Sequence, residues 1–182
     1  YTYKQIYDVK GRPIEGAFAD LNGDGIINNN DRYFYKDPYA DVLMGLTLNF
    51  RYKNFDLTSV SRASLGNYVS NRMHAASVYT QIINLNRISN VHKKFLNDQL
   101  ISFSDKNNVS DHYVRNASFF KMDNITLGYT IDNFIDNNPM RLYLTGDNLF
   151  TVTNYEGIDP EITGGIDSNF YPRARTIAFG LD

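Results

Sequence analysis

The segment "ADLNGDGIINNNDRYF", Ala19 to Phe34, gathers side-chain oxygens at a spacing that suits a hard cation. On the frame of a twelve-residue calcium loop, Asp20 takes the first position, Asn22 the third, Asp24 the fifth and Gly25 the sixth. Ile26 offers its backbone carbonyl at the seventh, Asn28 stands where a ligand acts through water, and Asp31 takes the twelfth. Calcium needs roughly six to eight oxygens, and this spacing folds them around one point while Gly25 permits the sharp turn. Asp31 is one methylene shorter than the Glu that closes a full EF-hand, and the Pro- and Gly-punctuated "GRPIEGAFA" before Asp20 is no entering helix. The expectation is a structural Ca2+ site of the kind seen in extracellular modules. An Asx-rich turn without metal explains the same residues.

Other chemistry is thin. His74, His92 and His112 lie far apart with no partner at metal-ligand spacing, and surface or structural roles account for them. Asp159 and Glu161 in "GIDPEI" are two neighbouring carboxylates, the raw material of glycoside hydrolysis, but a turn fixed by Pro160 explains them better. There is no nucleophile elbow and no phosphate-cradling loop, so no catalytic residues are assigned and no enzyme is expected. The aromatic group Tyr33, Phe34, Tyr35 and Tyr39 beside the oxygen-rich loop suits packing, a membrane girdle or stacking on sugars.

The elements that must position these residues read as strands. In "LTLNFRYKNFDLT", Leu46, Leu48, Phe50 and Tyr52 alternate with Thr47, Asn49, Arg51 and Lys53, the period of a half-buried strand. Lys53-Asn54 is a tight turn, and Phe55 to Leu65 returns. Ile125, Leu127, Tyr129 and Ile131 repeat the pattern, "ASFFKMD" extends that strand upstream, and "DNFIDNNP" (Asp132 to Pro139) is a turn. Leu142 and Leu144, then Ile177, Phe179 and Leu181, complete an antiparallel meander of at least five strands. Between them, Val78, Ile82, Leu85, Ile88 and Phe95 predict one helix over about 75–96. The chain is therefore read as all-β with long loops and one short helix.

Composition sets the outer limits. The 182 residues carry a net charge of -2 and no long basic run, so nothing here calls for nucleic acid. Cysteine is absent, which excludes disulfides and thiolate chemistry. There are 14 Tyr and 12 Phe but no Trp, and no apolar run approaches a membrane helix. The polar face of each strand can meet water outside a soluble sandwich, or line the lumen of a membrane barrel whose apolar face meets lipid. Periodicity leaves both open. The second reading's rival is thus a soluble extracellular, calcium-stabilised β-rich binding module.

Five strings in order, "YKQIYDVKGRPIEGAFADLNGDGIINNNDRY", "ASLGNYVSN", "NASFFKMDNITLGYTI", "LYLTGDNLFTVTNYEGIDPEI" and "YPRARTIAFGL", cover nearly the whole chain. Together they resemble the C-terminal part of SusC/RagA-type TonB-linked outer-membrane transporters, and the run from Asn148 to Glu161 is the most specific. The resemblance implies an antiparallel meander, residues 1–182, forming the last strands of a transmembrane β-barrel, with the plug outside this chain. It implies import of oligosaccharides, or of peptides in some members, across the outer membrane of a Gram-negative bacterium. It also implies a SusD-like lipoprotein lid, and TonB acting through an N-terminal part absent here. The chain would then be a fragment, and the Leu46 and Ile125 rows would face outer-membrane lipid while their polar partners line the lumen.

Overall fold

The computed structural model describes residues 1–76, 93–99, 106, 109–135, 138–168 and 171–182. Along the chain come β1 (Thr2–Tyr3), β2 (Gln5–Tyr7), β3 (Pro13–Phe18), β4 (Arg32–Tyr33), β5 (Val42–Tyr52) and β6 (Phe55–Leu65). They are followed by β7 (Tyr68–Asn71), β8 (Val114–Asn116), β9 (Phe119–Ile135), β10 (Asn138–Thr153), β11 (Ile166–Asp167) and β12 (Thr176–Leu181). The contacts divide the chain into two units, one of residues 1–39, 68–116 and 156–170, the other of residues 40–67, 117–155 and 171–182.

The second unit is one antiparallel sheet in the order β12-β10-β9-β6-β5. Alternation within each strand puts every second side chain on one face, and antiparallel pairing aligns these faces across strands. One row runs Phe50–Leu57–Leu127–Leu144–Phe179 through all five strands. The next runs Tyr52–Phe55–Tyr129–Leu142–Leu181. These apolar side chains are not sealed: Phe50 is 63% exposed, Leu144 50% and Phe179 68%. The opposite face carries Asn49–Thr58–Thr126–Thr145, joined by hydrogen bonds from Thr58 Oγ1 to Asn49 Oδ1 (3.0 Å) and between the hydroxyls of Thr126 and Thr145 (2.8 Å). On that face Arg141 of β10 reaches across β9 to grip Asp56 of β6 with two bonds of 2.9 and 2.7 Å. Gly128 of β9 lies beneath, and a Cβ there would sit 2.6 Å from Arg141 Nε, so glycine leaves the space the ion pair occupies.

The expected strands are all present, and Lys53 takes the left-handed conformation (φ 51°) of the tight turn into β6. Strand structure extends into the stretch Asp132 to Pro139 expected as a turn: β9 continues to Ile135 and β10 starts at Asn138. Backbone pairing does not depend on side-chain polarity, so the ladder runs on past the last apolar row. The helix expected over 75–96 begins earlier: the described helical residues are Arg72–Ala76 and Phe95–Asp98, and Asn71 Oδ1 caps the first by accepting from His74 N at 2.8 Å. Val78, Ile82, Leu85 and Ile88 lie outside the described residues.

The first unit has strands of only two to six residues, in three small sheets: β1 with β4, β2 with β3, and β11-β7-β8. Its interior is unusually polar. Tyr113, Val69, Asp31 and Ser110 are its largest fully buried side chains. Gln5 shows how such an interior is satisfied. Its amide Nε2 donates to the carbonyls of Ile14 (2.7 Å) and Ala17 (3.1 Å), while its Oε1 accepts from Ser110 Oγ (3.1 Å). Asp111 then joins three pieces of chain, taking Gln5 N on one oxygen (3.0 Å) and the Tyr33 hydroxyl on the other (2.6 Å).

Candidate functional site

Two groups of possible ligands stand in the first unit. The oxygen-rich loop is folded by its own side chains. Asp20 accepts from the N–H groups of Gly23 and Gly25, each at 2.7 Å, and both glycines have positive φ (77° and 78°). Asn22 Oδ1 accepts from Asp24 N (3.1 Å), and Asp24 Oδ1 from Ile26 N (2.8 Å). The Ile26 carbonyl accepts from Asn28 Nδ2 at 3.2 Å, and Asn28 Oδ1 caps the 3-10 turn Asn29–Asp31. Asp31 is fully buried and closes the loop by taking Leu21 N (2.9 Å) on one oxygen and Asn28 N (2.8 Å) on the other. The Asn28 N–H is the main reason its carboxyl is held below the usual range, burial acting in the opposite sense.

All six residues singled out by spacing thus sit on one loop. A carboxylate oxygen that accepts one N–H keeps a second lone pair, so the donor set remains all-oxygen and chemically suited to a hard cation. Among the described residues the carboxylates of Asp20, Asp24 and Asp31 do not converge as a trio; a cation would have to draw them together.

The second group was invisible in the sequence. His74, in the helix Arg72–Ala76 after β7, and His112, in the 3-10 turn Asp111–Tyr113, both point Nε2 at one oxygen of Asp98. The separations are 3.2 Å from His74 and 2.9 Å from His112, and the three side chains are only 7%, 9% and 13% exposed. His112 Nδ1 meets the Tyr7 hydroxyl at 3.2 Å. Tyr113 packs edge-on to both imidazoles, with centroids at 5.1 and 5.0 Å. Burial pushes the His112 pKa down, and the Asp98 carboxylate opposes that shift. No local spacing announces this trio, because the topology of three separate segments creates it. His92 lies outside the described residues.

The remaining candidates are structural. Asp159 Oδ1 accepts from Glu161 N at 2.9 Å, so this carboxylate pair shapes a turn. Tyr33 is tied to Asp111, the Tyr35 ring lies tilted against Tyr33 at 5.8 Å, Phe34 meets Tyr1 edge-on at 6.1 Å, and Tyr39 is open to solvent. A cleft of about 250 Å³ in the same unit is lined by Tyr1, Lys36, Tyr68, Arg72 and Ile166 among others, with the Lys36 ammonium 4.8 Å above the Tyr68 ring.

No family model matches the chain. Over its whole length it is 42% identical to the TonB-dependent receptor SusC of Bacteroides thetaiotaomicron, an alignment of 191 residues covering 19% of that receptor. It is 30% identical to the TonB-dependent receptor P3 of Formosa agariphila, again along the entire chain and 21% of that protein. A solved RagAB peptide transporter superposes with a TM-score of 0.60 at 26% identity, over 75% of this chain and 16% of that one.

The chain belongs to the SusC/RagA-type TonB-dependent receptors.

It spans about a fifth of the length of the curated relatives it matches. Within a SusC/RagA-type receptor the five-stranded sheet is a section of barrel wall, and its apolar rows are exposed. The sheet's other face carries the threonine rows and the Arg141–Asp56 pair. The kinship is to receptors and transporters.

Proposed function

We propose that this chain is the closing part of the barrel of an outer-membrane transporter that imports a nutrient with energy delivered by TonB. The observation that carries the proposal is the pair of apolar rows left open along the sheet, facing away from a hydrogen-bonded polar surface. A bilayer rewards that arrangement over five strands. The cargo is an oligosaccharide or a peptide, captured with a SusD-like lipoprotein acting as lid, while TonB engages a region outside this chain. The cleft beside Lys36 and Tyr68 offers an aromatic face and a cation, groups that suit either cargo. The Asp20–Asp31 loop takes Ca2+ through Asp20, Asn22, Asp24, Asp31 and the Ile26 carbonyl, with Asn28 acting through water, and stiffens the loop layer.

The test is uptake by cells that produce the intact receptor, given labelled oligosaccharides and labelled oligopeptides separately. Accumulation of one class that stops when TonB is deleted is the expected result. Uptake indifferent to TonB, or recovery of the receptor as a folded protein in buffer without detergent, would overturn the transporter reading.

A further inference from the structure

The buried trio of His74, Asp98 and His112 has a geometry that simple packing does not require. Two imidazole nitrogens from separate segments converge on one carboxylate oxygen at 3.2 and 2.9 Å, and all three ligand atoms lie within 4.8 Å of one another. Ligands around a tetrahedral zinc ion stand about 3.3 Å apart, given metal–ligand bonds of about 2.0–2.2 Å. Small side-chain adjustments would therefore admit an ion at the centre of the trio. The surroundings also match what a metal-binding histidine needs. The far nitrogen of His112 has the Tyr7 hydroxyl as its partner at 3.2 Å, which can fix the tautomer that leaves Nε2 free to coordinate. His74 is held by its own backbone N–H on Asn71 Oδ1, and the Tyr113 ring walls both imidazoles.

We propose that His74, Asp98 and His112 bind a divalent transition-metal ion of the zinc class, with Tyr7 as the positioning residue for His112. Two imidazoles and one carboxylate disfavour calcium and magnesium, which take oxygen donors, and suit Zn2+ and Co2+. The three residues come from the helix after β7, the short helix Phe95–Asp98 and the 3-10 turn before β8. One ion would therefore pin both ends and an inner point of the long connection between β7 and β8. Three protein ligands leave a coordination position for water. This site is separate in residues and in chemistry from the oxygen-rich loop, and it stands whether or not the transport reading holds.

The experiment uses the intact receptor, purified in detergent and stripped with a chelator, then titrated with ZnCl2 against a chromophoric indicator and with CoCl2 followed by visible absorption. The expected result is one equivalent of Zn2+ whose affinity falls about tenfold or more in Asp98→Asn and in His74→Gln, and falls less in Tyr7→Phe. Co2+ should give the visible bands of a low-coordinate nitrogen–oxygen site in the parent receptor, absent from both ligand variants. Asp24→Ala, which alters the oxygen-rich loop, should leave the zinc equivalent untouched. Equal zinc stoichiometry and affinity, within about twofold, in parent and ligand variants would overturn the proposal. So would displacement of the zinc by millimolar Ca2+. Should a ligand variant lose its native proteolysis pattern, the parent receptor decides: a cobalt titration without visible bands refutes the site.

Discussion

The sheet and the loop layer of this one chain are held together by different physics. In the sheet, order comes from repetition: five strands share one period, and residues as distant in sequence as Phe50 and Phe179 fall on a single row because the register leaves them nowhere else. In residues 1–39, 68–116 and 156–170 the strands are too short for that, and individual polar side chains do the joining. Gln5, Ser110 and Asp111 each bond groups far along the chain, and Asp31 clasps its own loop. The sheet leaves its apolar rows exposed, whereas the loop unit keeps polar residues buried. A repeated pattern tolerates the loss of one member. A network built from single side chains does not, because each removal strands a buried donor or acceptor.

The sharpest way to break this contrast is to place a charge on each face of the same strand in the intact receptor. Leu127→Arg puts a guanidinium among the outward rows and should cost about 2–4 kcal/mol near the bilayer midplane. Thr126→Arg, one residue away on the other face, should cost far less. Denaturant midpoints of the receptor refolded into liposomes measure both. Equal penalties would mean the two faces meet the same solvent, and the assignment of outside and lumen would collapse.

A smaller effect is expected at Gly128. A methyl there intrudes on the bond between Arg141 and Asp56, which bridges strands on either side of β9. Gly128→Ala should destabilise by about 1 kcal/mol, since the pair is partly solvated and one methyl can be relieved by side-chain movement. Combining Gly128→Ala with Asp56→Ala should cost little more than the worse of the two single changes, because both remove the same contact. Full additivity in that cycle would show that the glycine does not serve the ion pair.

What could be read from the residues alone divides along the same line. The rows of the sheet were legible because Leu46, Leu48, Phe50 and Tyr52 announce their face locally, and the register merely multiplies that signal. The oxygen-rich loop was legible because all six residues lie within one turn of chain. The His74–Asp98–His112 trio was not, since it depends on where a long connection returns, and no short-range pattern encodes that. The helix boundary erred for a related reason: apolar spacing starts the helix at residue 75, whereas the cap from Asn71 starts it at Arg72.

Asp31 tests the loop layer by titration. Its folded carboxyl is depressed, so it stabilises the loop above the unfolded value of about 3.9, and that support is lost as pH falls through the lower folded value. Amide exchange at Leu21 and Asn28, corrected for intrinsic rates, should remain protected at neutral pH and loosen only below about pH 4. Asp31→Asn loses one acceptor oxygen and the charge, and should raise exchange at one or both amides by roughly tenfold at neutral pH, with no further loosening across the acid window. Identical exchange in parent and variant would remove Asp31 as the clasp of the loop.

The smallest expected effect is the most discriminating for the loop's chemistry. Asp31 spends both oxygens on backbone N–H groups, whereas Asp24 gives one oxygen to Ile26 N and the other to Asn22 Nδ2, on an exposed rim. Removing Asp24 should therefore leave the calcium-free loop nearly unchanged while deleting a ligand, the opposite of what Asp31→Asn does. Melting of the intact receptor, or better the exchange of Gly23 and Gly25, should be slowed by millimolar Ca2+ in the parent and be insensitive to it in Asp24→Ala. A parent indifferent to Ca2+ would make the loop a purely hydrogen-bonded turn. The loop unit would then rest on its side-chain network alone, and the contrast with the sheet would become sharper, since no ion would share the task of folding residues 19–34.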